Sequence, residues 1–409
     1  MLELVIKKEI LSRIFLQLLQ FITGLLIARN LGVAGHGIFS LFLTEASFFI
    51  LLVGVSFEST IIFFLTQKKI SLPEIIDLII KLFGLQVIIL ALALGALSFC
   101  TNFMFFNSSV VNNGIIMLSL FVFSSIIINS VAALFYASNL ILKYNVFLIT
   151  TYIMFLALLF FSTFGYSTKK LVNTIIFFYT VFILIQGITA ILLLFFHFRK
   201  TTKIFRKKVV LSKEIIKYCL VVFSCNLIQF LCYKMDFWII DFYGNKTQVG
   251  LYSVASKTAQ LWWVLPQICA SIFFPLISMG NLNNIYFKKA LVKISLFSFL
   301  TGVVAYFIYP YFINSFIGTE FKESYSPFIL LLPGVICFSL NILLAAKYSG
   351  EGAVLINLKS SVCCFFLIVI FDFMLIPKYN INGAAIASTI AYIVTTGYAL
   401  KQYKYVKAV

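Results

Sequence analysis

The sequence predicts an all-α, polytopic membrane protein of about twelve transmembrane helices, in two six-helix bundles related by a pseudo-two-fold axis along the membrane normal. Three observations predict it: an apolar composition, a regular series of span-length apolar runs, and an internal match at one nearly constant offset. Of the 409 residues 62% are hydrophobic and 11% charged, against about half and about a quarter in a soluble domain. A water-soluble fold has no way to cover that much apolar surface.

A hydrocarbon core of roughly 30 Å asks for about 20 helical residues per crossing. In the first half the apolar runs are 9–29, 36–65, 82–101, 114–137, 144–165 and 171–196. In the second half they are 217–243, 250–279, 289–310, 326–347, 353–377 and 382–402. The N-terminal run follows basic residues, but it holds Arg13 and Gln17 and has no small-residue cleavage site, so it reads as a first span. The longest gap, 197–216, is strongly basic and reads as a cytoplasmic linker between an N-terminal bundle (1–196) and a C-terminal bundle (217–409).

The formal charge of +18 follows from 31 Lys and Arg against 13 Asp and Glu. In a soluble chain it would suggest nucleic acid, but the aromatic residues lie inside the apolar runs, so no nucleic-acid partner is expected. The excess reads as a topology signal instead. With the N-terminus cytoplasmic, 23 Lys and Arg fall on that side and six on the other: Arg29, Lys169, Lys170, Lys246, Lys322 and Lys378. Lys234 and Lys257 fall within spans. Both termini are therefore expected in the cytoplasm. The eight cysteines show no metal-ligand spacing and read as reduced packing residues, and neither metal nor cofactor is expected.

Gly37-Ile38-Phe39-Ser40 matches Gly250-Leu251-Tyr252-Ser253, and Asn129, Tyr136 and Asn145 match Asn341, Tyr348 and Asn357 about 212 residues on. A shared offset over a hundred residues points to a six-plus-six repeat. Since six is even, the copies have the same orientation, as in parallel-repeat transporters with the substrate between the halves.

Ionisable residues inside spans cost at least ~2.5–3.5 kcal/mol and so are candidates for function. They are Arg29, Glu45, Glu58, Lys234, Asp236, Asp241, Lys257 and Asp372. Snorkelling or a structural ion pair is the ordinary alternative for each. Glu45 lies about ten residues into its span, too deep for a short carboxylate to reach the surface. Lys257 holds nearly the repeat-equivalent place, which suggests a shared polar lumen. Asp372 and Glu58 lie near span ends and read as solvated. Pro266, Pro275 and Pro333 should kink their helices.

Ala28-Arg29-Asn30-Leu31-Gly32 followed by Gly37-Ile38-Phe39-Ser40 resembles the opening of Wzx-type polysaccharide flippases, in the multidrug/oligosaccharidyl-lipid/polysaccharide exporter superfamily. Asp236 to Ile240, Val249 to Ala255 and Asn382 to Ala387 resemble later motifs of that family in the same order. Asn30 and His36 depart from its usual residues, which leaves sugar specificity unread.

The resemblance implies a non-enzymatic flippase of undecaprenyl-diphosphate-linked oligosaccharide in the bacterial inner membrane, acting by alternating access for O-antigen or a related glycan. Membrane lipids, a polysaccharide polymerase and a chain-length regulator are the partners it implies. On that reading Arg29, Lys234 and Lys257 attract the diphosphate, while Gln20, Asn226 and Gln229 hydrogen-bond sugar. Glu45, Asp236 and Asp241 are left for coupling or gating. One lysine at 4 Å from one phosphate charge is worth ~4 kcal/mol at an effective dielectric of 20. Export of two negative charges from a negative interior is favoured by ~4.6 kcal/mol per 100 mV, so proton coupling is not required.

Two rivals remain. A membrane polymerase or glycosyltransferase would carry a long catalytic outer loop, but the longest here, around 310–325, offers only Glu320 and Glu323 beside Lys322. A cation-coupled drug exporter of the same superfamily would favour a carboxylate-rich cavity.

Overall fold

The structure is a computed structural model that describes residues 2–66, 72–99, 114–138, 140–162, 168–198, 213–278 and 283–405. The regular elements among them are all helical. They are α1 (Leu2–Gly54), α2 (Phe57–Thr66), α3 (Leu72–Phe99), α4 (Gly114–Ala137), α5 (Ile141–Ser162) and α6 (Thr168–Phe198). There follow α7 (Lys213–Tyr243), α8 (Lys246–Ala259), α9 (Val264–Ser278), α10 (Asn284–Phe312), α11 (Tyr325–Gly350) and α12 (Val354–Tyr405). Most of the basic linker, 199–212, lies outside the described residues, as does Cys100. The seven described cysteines are free thiols.

Among the described residues eight helices are long and apolar enough to cross a membrane. Two of these stretches, Lys8–Gly54 and Leu355–Tyr403, hold 47 and 49 residues. At 1.5 Å per residue each is about 70 Å long, more than twice the hydrocarbon thickness. Each is also broken by one non-helical residue, Gly32 (φ 65°) in α1 and Asn380 (φ 50°) in α12. Both residue types tolerate positive φ better than a branched side chain does. The break at Asn380 turns the chain sharply, because a Cβ on Gly383 would overlap the carbonyl of Leu375.

Two further breaks differ from the sequence expectation. The run 36–65 is interrupted between α1 and α2 by Val55 (φ 47°) and Ser56 (φ 52°). Positive φ is unfavourable for a β-branched residue, and partners on α7 hold this turn. Asn226 Nδ2 donates to Ser56 Oγ at 2.9 Å, and Cys219 Sγ donates to the Val55 carbonyl at 3.0 Å. The run 250–279 breaks at a 3-10 turn, Gln260–Trp263, just before Pro266. Proline has no N–H for the carbonyl four residues back, here Trp262, and Ser339 Oγ donates to that oxygen instead at 3.4 Å. Pro310 in α10 frees Tyr306 in the same way, and the Tyr325 hydroxyl donates to it at 3.4 Å. Pro275 and Pro333 lie within α9 and α11, whose helices continue through them.

Contacts divide the chain into two compact units. One comprises Met1–Gln20 and Leu41–Leu227, the other Phe21–Ser40 and Ile228–Val409. The grouping thus differs from a division at the basic linker: residues 21–40 pack with the second unit, and the first part of α7 packs with the first. In the first unit Leu16, Leu19, Phe135, Tyr144, Leu148 and Ala190 form a core. Beside it, Asn145 donates to Ser12 Oγ at 2.9 Å and accepts from the Tyr136 hydroxyl at 3.2 Å. In the second unit Phe287, Leu291, Leu343, Leu344, Tyr348 and Ala399 form a core. There the Tyr348 hydroxyl donates to the Ala399 carbonyl at 2.6 Å.

Candidate substrate site

Helix α8 sets the geometry of the charged cluster in the second unit. Asn245 caps it by accepting from the Gln248 N–H at 2.9 Å, which satisfies one of the orphan donors of a helix start. Lys246 closes the turn from α7 through an ion pair with Asp241 at 2.6 Å. Residues Val249 to Ser256, with Thr258 and Ala259, are buried. A helix buried on every side is held by packing all round, so the half-buried Lys257 at its end projects from a fixed support. Its place in the last turn also puts the ammonium near the negative end of the helix dipole.

Lys234 on α7 is half-buried, with Nζ 4.6 Å from the centroid of the Phe237 ring. The charges of Lys234 and Lys257 act on one another, and that of Lys257 reaches His36. Asp236, beside Lys234, is only 3% exposed. It accepts the Phe237 N–H at 2.9 Å and the Tyr252 hydroxyl, tying α7 to α8.

Asp372 is a correction to the sequence reading. Instead of ending in solvent it is fully buried in α12, and neither carboxyl oxygen has a hydrogen-bond partner among the described residues. Its charge acts on Asp236. An unpartnered buried carboxyl is costly. Depth from the nearest span end hid it, although the rule that intramembrane ionisable residues are functional by default had already picked it out.

The other expected residues are distributed between the units. Arg29 is exposed in the second unit, where Gln229 accepts from Ser361 Oγ at 3.3 Å. Glu45 is half-buried and Gln20 exposed in the first unit, Gln20 beside Tyr152. Asn226, also in the first unit, braces the Val55–Ser56 turn. The structure therefore brings Lys234, Asp236 and Lys257 together and adds Asp372 and His36 to their neighbourhood. Among the described residues no group of three or more His, Cys, Asp or Glu side chains is arranged to hold a metal.

Residues 9–281, two thirds of the chain, match the family described as "Polysaccharide biosynthesis protein". The chain belongs to this family. It is 26% identical over 167 residues to the capsular polysaccharide biosynthesis protein CapF of Staphylococcus aureus. That match covers 39% of the chain and 41% of the relative, so it spans less than half of either protein. Solved structures with the same fold include the lipid II flippase MurJ in an inward closed conformation. It has a TM-score of 0.71 at 17% identity, over 96% of this chain and 87% of that one. An inward-facing multidrug resistance MATE transporter matches with a TM-score of 0.69 at 13% identity, over 96% and 95%. The protein is accordingly a multi-pass membrane protein of the polysaccharide-biosynthesis family, with the fold of these transporters.

Proposed function

We propose that the protein carries an undecaprenyl-diphosphate-linked oligosaccharide repeat unit from the cytoplasmic to the periplasmic leaflet of the bacterial inner membrane, for a surface polysaccharide of the O-antigen or capsular kind. The observation that carries this reading is the pair of half-buried lysines, Lys234 and Lys257, close enough for their charges to interact in the second unit. Two half-buried cations within electrostatic reach of each other suit an anionic cargo such as a diphosphate. Arg29 adds a third positive charge in the same unit, and Gln20, Asn226 and Gln229 supply amides for sugar.

The reading includes twelve crossings. The two long stretches broken at Gly32 and Asn380 count twice, α3 counts once, and α8 with α9 counts once. Six crossings per repeat would put both termini on one side, and the 23-to-6 bias of Lys and Arg supports the cytoplasmic one. The bundles work by alternating access. We assign coupling or gating to Glu45, Asp236 and Asp241, with Asp372 joining Asp236. A polymerase and a chain-length regulator would act on the exported unit.

Deletion followed by analysis of undecaprenyl-linked sugars tests the reading. Accumulation of single linked repeat units with loss of surface polymer is the expected result. Unchanged polymer with increased sensitivity to cationic drugs would favour the second reading, a cation-coupled multidrug exporter, for which the buried carboxyls Asp236 and Asp372 and the likeness to the MATE fold speak.

A further inference from the structure

The duplicated motif packs against itself. A Cβ on Gly37 would overlap the carbonyl of Lys246, and a Cβ on Gly250 would overlap the carbonyl of Val33. Either added Cβ would also stand 3.1 Å from the backbone nitrogen of the other glycine. Ser40 Oγ donates to Ser253 Oγ at 3.0 Å across 213 positions, and Ser253 Oγ donates on to the Gly250 carbonyl at 3.0 Å. The same offset of 213 relates Val33 to Lys246 and Gly37 to Gly250. Each residue therefore meets the repeat equivalent of the residue that meets it, the signature of a contact built around a local two-fold axis.

The surroundings differ in kind from this centre. His36 sets its ring against Phe321 at 6.2 Å, edge to face, and places Nε2 3.4 Å from Ser40 Oγ. His36, Ser40 and Ser253 are all at most 2% exposed. Backbones come this close only where no side chain intervenes, as small residues permit between membrane helices.

We propose that this G-x-x-S pair is a two-fold clasp which holds residues 21–40 on α8 and has to part once in every transport cycle. The proposal rests on the alternating-access reading above. It deepens that reading by naming the contact whose opening gates the site on the side opposite the termini. The contact is small and buried, with the Ser40–Ser253 hydrogen bond at its centre. It can therefore be complete in one state and lost in another, as bistable packed contacts are. Residues 21–40 are well suited to move, because Gly32 already breaks α1 within them and the residues beyond Ser40 pack in the other unit.

The test uses a deletion strain carrying the full-length Ser40→Cys/Ser253→Cys protein, with each single variant as control. Hydroxyl oxygens 3.0 Å apart put the two positions within the reach of a disulfide. Oxidation of the double variant alone should form the cross-link and stop surface-polymer production, and reduction should restore it. A complete cross-link with undiminished polymer, or no cross-link in a protein that supports polymer when reduced, would overturn the clasp. If the wild-type gene itself does not restore polymer to the deletion strain, the flippase reading falls instead. Gly37→Ala and Gly250→Ala give an independent reading. Each should raise labelling of Ser40→Cys by a membrane-impermeant maleimide by about tenfold or more, since overpacking at either face opens the same contact. The double variant should add little. An effect confined to one glycine, or fully additive effects, would contradict the two-fold arrangement.

Discussion

The two copies of the repeated motif keep the same backbone contact and carry different chemistry. Around residues 234–258 stand Lys234, Asp236, Asp241, Tyr252 and Lys257; at the same offset of 213 the first copy has Phe21, Thr23, Ala28, Phe39 and Thr44. Conversely, Arg29 and Glu45 of the first copy correspond in sequence to Phe242 and Thr258 of the second. Between residues 21–45 and 234–258 no charge is placed at an equivalent position in both. The glycines and serines that shape the close approach are shared, and Phe39 and Tyr252 are both 1% exposed. Duplication has preserved the positions that fix the helix approach, while the ionisable groups differ from one copy to the other. The lysines belong to the second.

The largest effect should come from reversing the charge at the end of α8. Lys257→Glu should abolish surface-polymer production in a deletion strain while the protein remains in the membrane, and Lys257→Arg should retain it. Thr44→Val, at the matching place in the first copy, should leave production near wild type. Equal loss from both substitutions would erase the asymmetry.

Asp372 sharpens the same comparison, since the first copy has Phe160 at the offset of 212 found for the later part of the repeat. Asp372→Asn removes a buried ionisable group without changing its size. Purified variant protein should unfold at a higher temperature than wild type, because the desolvation cost of the carboxyl is relieved. Its transport should fall. A lower unfolding temperature would mean that the carboxyl has a stabilising partner.

The smallest of the three effects concerns the Asp236–Tyr252 bond. Tyr252→Phe makes the second copy resemble Phe39 of the first and leaves a carboxylate oxygen of a nearly buried Asp236 without its hydroxyl donor. It should cost about 1–3 kcal/mol in equilibrium unfolding. Asp236→Asn/Tyr252→Phe should lose less than the sum of the single changes, and full additivity would show that the bond carries no coupling energy.

Much of this arrangement was legible in the sequence. Apolar run lengths anticipated the long helices, because hydrocarbon thickness is a local constraint on each segment. The repeat offset marked Gly37 and Gly250 as equivalent positions, but their packing against each other is seen only in the structure. The breaks were less legible. Pro266 announced a disturbance in its span, but the 3-10 turn lies on its N-terminal side, where the unpaired carbonyl is. Val55 and Ser56 carry no turn signal at all; their positive φ is sustained by Asn226 and Cys219, more than 160 positions away. The burial of Asp372 and the packing of residues 21–40 with the second unit are likewise products of long-range contact, which periodicity does not encode.

The central claim is that the lysines of the second copy move an anionic lipid-linked sugar. Flipping of a short polyprenyl-diphosphate oligosaccharide in proteoliposomes, with an imposed voltage and no pH gradient, tests it most directly. Wild-type protein should transfer the lipid between leaflets, and the Lys234→Ala/Lys257→Ala variant should do so at least about tenfold more slowly, a modest share of the ~4 kcal/mol that one lysine beside one phosphate charge supplies. Equal rates for the two proteins would contradict the account.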